Sequence, residues 1–304
     1  MTPPNDPVAQ SVHDRLLKRA NERREDFNNV LTRYGVERFL YRLTRTRHGK
    51  RFVLKGAMLF VLWLDRPHRP TRDLDLLGSG EITESTLRAI FTDVCQARVK
   101  PDGLTFDSDS ITVQEIRENQ VYQGLRVKIR GRLGNAHIDV QIDVGIGDII
   151  TPAPVEVDYP TLLDLPSPHL KTYPKETVVA EKLDAMIQLG LRNSRMKDFY
   201  DLWLMARHFE FDGPTLTESI RLTCERRQTQ VTADAACFSE SYAHNPTKQV
   251  QWKAFLSRGR LTDAPQDFEQ VMEQIRAFLQ PVVITLNDGK PYNRQWPSGG
   301  PWRH

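Results

Sequence analysis

Arg69-Pro70-Thr71-Arg72-Asp73-Leu74-Asp75-Leu76 decides how the rest of the chain is read. Successive residues of a strand point to opposite faces, so this run predicts a strand with Leu74 and Leu76 in the core and Asp73 and Asp75 side by side on the other face. Paired carboxylates suit Mg²⁺, a hard, strongly hydrated cation held by one or two carboxylates together with the phosphate oxygens of a substrate. Alternating acid and leucine also describes an ordinary amphipathic strand, so the pair gains meaning only from what surrounds it.

Two neighbouring stretches supply that context. Upstream, Lys55-Gly56-Ala57 stands one helix length before the acids, separated from them by the apolar run Leu59, Phe60, Trp63 and Leu64. Downstream, Val140-Gln141-Ile142-Asp143-Val144 alternates with the strand period, after a hairpin-like run at 125–132 and the turn signal Gly134-Asn135. Asp143 then belongs to a neighbouring strand of the same sheet, and three carboxylates can converge. Asp139 shares its face, but Asp143 is adjacent to Gly145 and Gly147, where a strand ends and backbone can approach a ligand. Metal ions held by Asp73, Asp75 and Asp143 would clamp the attacking and leaving oxygens of an in-line phosphoryl or nucleotidyl displacement.

The order of elements around these acids predicts an α+β (α/β) core with a mixed sheet, followed by a helical part. A helix is expected over 11–33 with Ser11 as its cap, broken by Gly35, and a second over 36–46. A short strand at 52–54, a helix from Gly56, a loop at 65–70, a helix at 84–97 and strands at 104–117 and 122–132 complete the core. The proline-rich stretch 151–174 reads as an irregular connector. Helices are expected at 175–189, ended by Gly190, around 197–203, and near 216–227, 248–255 and 267–279, with an uncertain segment at 228–246. The resulting division is 1–165 for the core, 166–285 for a helical domain completing the active site, and 286–304 for an extended tail whose tryptophans pack back on the core or cover a partner.

Charge is balanced over the whole chain, at 42 Lys plus Arg against 39 Asp plus Glu. Between Arg15 and Arg51 basic residues are dense, and a face of them would attract a phosphate backbone; an ordinary solvated helix with local ion pairs is the competing account. Three scattered cysteines, Cys95, Cys224 and Cys237, fit neither a metal ligand set nor a disulfide framework, and read as reduced core thiols. With no membrane-length apolar run and no signal-peptide pattern, a cytoplasmic location is expected.

In the helical part, Lys182 is the basic residue expected to meet a triphosphate, against the plainer reading of a surface lysine paired with Glu181 or Asp184. Lys197 and Asp201 stand i and i+4 apart beside Asp198, which an ordinary helix salt bridge would also explain.

Taken together, Leu54-Lys55-Gly56-Ala57-Met58-Leu59, the Arg69-to-Gly78 run, Ile142-Asp143, Ala180-Glu181-Lys182-Leu183-Asp184-Ala185-Met186 and Arg195-Met196-Lys197-Asp198-Phe199-Tyr200-Asp201-Leu202 span about 50–205 in order. This pattern resembles the DNA polymerase β-like nucleotidyltransferase superfamily and, within it, the AbiEii/AbiGii toxin family, to which the mycobacterial MenT toxins are related. The resemblance implies a polymerase β-like fold and a Mg²⁺-dependent nucleotidyltransferase toxin of an abortive-infection or toxin–antitoxin system. It further implies an NTP substrate, the 3′ end of tRNA as acceptor, and a cognate antitoxin. Asp73, Asp75, Asp143, Lys182 and Asp198 would be catalytic; Lys55, Gly56, Ala57, Arg72, Lys182, Lys197 and Asp201 would bind the nucleotide. Where the superfamily usually carries Gly-Gly or Gly-Ser, this chain has Gly56-Ala57 and lacks a hydroxyl for the triphosphate. An NTP-binding or interaction module with little transfer activity, or a transferase acting on a protein side chain, are the alternatives.

Overall fold

The structure is a computed structural model that describes residues 6–64, 69–71, 73–118, 122–290 and 292–304. The chain divides into two compact units, Met1–Asp148 with Pro154–Tyr173, and Ile149–Ala153 with Pro174–His304.

The first unit runs α1 (Pro7–Arg23), α2 (Phe27–Arg45), a 3₁₀ turn Gly49–Arg51, β1 (Phe52–Lys55), a 3₁₀ turn Gly56–Met58, α3 (Leu59–Leu64), β2 (Asp73–Gly78), α4 (Glu84–Cys95), β3 (Leu104–Glu118), β4 (Tyr122–Leu133), β5 (Ala136–Ile146), β6 (Val155–Asp158) and β7 (His169–Thr172). Among the described residues these strands form one sheet in the order β3-β4-β5-β2-β1-β7-β6. It is mixed as expected: β2 runs parallel to β5 and β7 parallel to β1, while β1–β2 and the β3–β4–β5 meander are antiparallel. Strand alternation sends Leu74, Leu76, Val127, Ile129, Val140, Ile142 and Val144 to a buried face, on which α2 and α4 pack. The opposite face carries polar residues.

Three expectations change. The stretch expected as one helix over 11–33 is broken at Arg24, whose φ of 54° is left-handed, and Asp26 caps a new helix by accepting from the Asn29 N–H. Gly35 lies inside α2, because a Cβ there would stand 2.6 Å from Ile138 Cγ2; glycine lets the helix settle closely on β5. The proline-rich connector holds β6 and β7, of which β7 extends the main sheet along β1.

Part of the basic run is spent internally. Arg42 is buried and forks onto Asp102 at 2.8 and 2.9 Å, and Arg38 lies against Glu37 and donates to the Pro166 carbonyl. Arg33 pairs with Glu25, and Arg19 donates to the Leu162 carbonyl. Arg15, Lys18, Arg23, Arg24, Arg45, Arg47 and Lys50 are exposed, so the run divides between internal pairing and a solvated face. Burial pushes the Glu37 carboxyl up to about 7, against Arg38 and the Leu162 N–H, which hold it down.

The second unit contains α5 (Lys175–Leu189), α6 (Met196–His208), β8 (Phe211–Asp212), α7 (Gly213–Arg226), α8 (Glu240–Ala243), α9 (Pro246–Gly259), α10 (Phe268–Asn287) and β9 (Gln295–Trp296). α6 is the central helix, packed by α5, α9 and α10 around Phe199, Tyr200, Trp252 and Phe268. The tail does not stand apart: β9 pairs with β8, and the Trp302 ring stacks on Phe278 while its Nε1 donates to the Phe278 carbonyl. Among the described residues no helix is long and apolar enough to cross a membrane, and Cys95, Cys224 and Cys237 are free thiols.

Candidate active site

The first unit presents its acids on the polar face of the sheet. The parallel β2–β5 register sets Asp75 opposite Asp143 and Asp73 opposite Gln141, so all four side chains share that face. Asp73 and Asp75 are half-buried, with the buried Leu74 between them and the buried Leu76 after Asp75. Gln141 Nε2 donates to Asp73 Oδ1 at 2.8 Å. Arg126, opposite Asp143 across the β4–β5 pair, donates from Nε to Oδ1 at 2.8 Å and from Nη2 to Oδ2 at 2.7 Å.

Gly56 closes one side of this face. Its φ of +76° is a left-handed conformation, and a Cβ on it would collide with the Asp75 carboxylate. Backbone therefore lies directly against the acid, a closeness that only glycine permits. Lys55, in register with Asp75, sends its ammonium to Asp148 at 2.9 Å and lies 5.3 Å from the Tyr173 ring centroid. Ala57 is buried in the turn that follows. Arg72 is outside the described residues, as are residues 65–68 of the expected loop.

Asp73, Asp75 and Asp143 offer an all-oxygen donor set that fits a hard divalent cation. The expected convergence of the three is not formed, however: no three acidic, histidine or cysteine side chains among the described residues come together in a group able to hold a metal ion, and Asp143 is forked by Arg126.

In the second unit, Asp198 and Asp201 are three apart on α6, hence on one face, and Lys182 reaches them from α5. The Lys182 ammonium lies 2.9 Å from Asp198 Oδ1 and 2.7 Å from Asp201 Oδ2, and Arg195 Nε donates to Asp198 Oδ2 at 2.7 Å. Both acids are fully buried. Burial alone would raise the Asp198 pKa, but the charges of Lys182, Arg195 and Lys197 outweigh it and hold the carboxyl below its ordinary range. The plainer pairings are not the ones adopted. Glu181 and Asp184 both go to Arg227, at 3.1 and 3.0 Å, and Lys197 is exposed with no ion pair among the described residues.

Sequence reasoning missed Arg126, Gln141, Asp148 and Arg195. Arg126 was findable: counting outward from the two-residue turn Gly134-Asn135 pairs Leu133 with Ala136 and, along the same ladder, Arg126 with Asp143.

Residues 38–274 match the family described as nucleotidyl transferase AbiEii toxin, type IV TA system. No curated protein matches this chain. A solved structure described as a nucleotidyltransferase from H. pylori aligns at 13% identity over 84% of this chain and 95% of its own, with a TM-score of 0.43. That of JHP933 from Helicobacter pylori aligns at 14% identity over 83% and 90%, with a TM-score of 0.41.

Proposed function

The chain belongs to the AbiEii family of nucleotidyl transferase toxins, and on that premise we propose that it transfers a nucleotidyl group from a Mg²⁺-bound NTP to a hydroxyl acceptor, the 3′ end of a tRNA. The observation that carries this reading is the in-register pair Asp75 and Asp143, with Asp73 beside them and Gly56 packed against Asp75. Asp73, Asp75 and Asp143 would hold the cation, which when bound supplies positive charge for the phosphate oxygens. Gly56 lets backbone lie against the Asp75 carboxylate, and the Lys55 ammonium adds charge at the end of β1. Asp143 orients the attacking hydroxyl and accepts its proton.

The helical residues divide differently from the expected roles. Asp198 and Asp201 fix the Lys182 ammonium, so their contribution to transfer runs through that lysine, while the exposed Lys197 is open to phosphate. A type IV toxin–antitoxin system implies a cognate antitoxin as partner.

The test is incubation of the purified protein with Mg²⁺, each labelled NTP in turn and total cellular RNA, with Asp73→Asn as control. Label in a tRNA-sized band with the wild type alone supports the reading and names the nucleotide. Label in protein instead would move the acceptor to a side chain, and Mg-NTP binding without any transfer would leave a binding module.

A further inference from the structure

Arg126 already occupies the carboxylate that the proposed metal site requires. It stands on β4 opposite Asp143, both side chains point to the polar face, and the guanidinium fork takes both oxygens of the acid. Side-chain exposures of 35% for Arg126 and 18% for Asp143 leave the pair reachable from solvent, so a competing cation has a route to it. A bidentate guanidinium–carboxylate pair is strong and geometrically specific, yet partial exposure keeps it displaceable. On the neighbouring strand Asp73 accepts from the Gln141 amide.

Resting on the metal-site reading above, we propose that Arg126 is a positioning residue that exchanges ligands with the divalent cation. The metal takes Asp143 only by displacing the guanidinium, and the displaced guanidinium turns to the nucleotide phosphate on the same face. Cation and anion exchange partners, and no covalent bond changes. Two linked consequences follow. Without nucleotide, Arg126 weakens metal binding by competing for Asp143; with metal bound, Arg126 strengthens nucleotide binding by pairing with phosphate.

The experiment is a Mn²⁺ titration of the full chain, read by the loss of the free-ion paramagnetic signal, on wild type, Arg126→Met, Arg126→Lys, Lys128→Met and Asp75→Asn. Lys128 is the next exposed cation on the same face of β4, opposite Gln141, and serves as the control for general charge. Removing the fork should tighten Mn²⁺ binding roughly fivefold to tenfold. Arg126→Lys, which keeps the charge but loses the fork, should fall between, and Lys128→Met should stay within about twofold. With Mn²⁺ saturating, Arg126→Met should bind a non-hydrolysable NTP analogue roughly fivefold to tenfold more weakly. Unchanged or weaker Mn²⁺ binding in Arg126→Met, or an equal gain in Lys128→Met, overturns the exchange while leaving the metal site intact. Asp75→Asn binding Mn²⁺ like the wild type, or no Mn²⁺ binding by any variant, overturns the metal-site reading itself. Melting curves on each variant identify any that fails to fold, and Arg126→Lys then carries the comparison.

Discussion

The chain contains two sets of carboxylates that look alike in sequence and are built in opposite ways. Asp73 and Asp75 stand at strand spacing on a polar sheet face, half-buried, with Gly56 against Asp75. Asp198 and Asp201 stand at helix spacing, fully buried, with their oxygens given to Lys182 and Arg195. A half-buried acid on a sheet face keeps its charge at modest solvation cost. A buried acid keeps its charge only through cations that it in turn immobilises. Short acidic motifs therefore state where charge is, while burial decides whether it is offered or consumed.

The largest expected effects separate the two sets by what each substitution damages. Asp75→Asn should lower nucleotidyl transfer at least 10²- to 10³-fold while changing unfolding free energy by no more than about 1 kcal/mol; parallel losses of activity and stability would break the contrast. Lys182→Met should instead damage the stability of the helical unit together with transfer. It strands two buried carboxylates, and a destabilisation of about 3–5 kcal/mol in denaturant unfolding is expected; Lys182→Arg should recover part of it. Next comes Gly56→Ala, which meets both a left-handed φ and the Asp75 carboxylate. It should cost about 1–3 kcal/mol and reduce transfer through displacement of Asp75, detected as a fall in kcat larger than the fall in melting temperature implies.

Acid titration sharpens the comparison further. The Asp198 carboxyl is held below its ordinary range, so its stabilisation is complete above the unfolded-state carboxylate pKa and is lost as pH falls through the lower folded value. Glu37 has the opposite sign. Its folded pKa is raised to about 7, so its contribution is complete below the ordinary carboxylate range and declines as pH rises through about 7. Unfolding followed between pH 3 and 8 should show the acid-side loss reduced in Asp198→Asn and the neutral-side decline reduced in Glu37→Gln. The smallest effect is expected at Lys197, where an exposed lysine with no ion pair among the described residues should tolerate alanine within about 0.5 kcal/mol.

Legibility followed the same division between local pattern and partner choice. Strand alternation placed Asp73, Asp75 and Asp143 correctly on one face, and the helix over 175–189 ends at Gly190 as its sequence implies. Gly35 misled, because a glycine that permits close packing is indistinguishable in one sequence from one that ends a helix. The arginines of α2 misled likewise: Arg38 and Arg42 read as surface charge until Glu37, Pro166 and Asp102 are brought to them by tertiary contacts far along the chain. Lys182 had four nearby acids on its own or the following helix, and only packing chose Asp198 and Asp201 over Glu181 and Asp184. Within hairpins the reach is longer, since the turn at Gly134-Asn135 fixes Arg126 opposite Asp143 by counting alone.

Calorimetric unfolding of Asp75→Asn and Asp201→Asn beside the wild type, at neutral pH, tests most directly whether one acid set is offered and the other consumed. Asp75→Asn should melt with the wild type, and Asp201→Asn should lower the transition of the helical unit by several degrees, as loss of a buried charge partner requires. A destabilised Asp75→Asn beside an unperturbed Asp201→Asn would contradict the assignment.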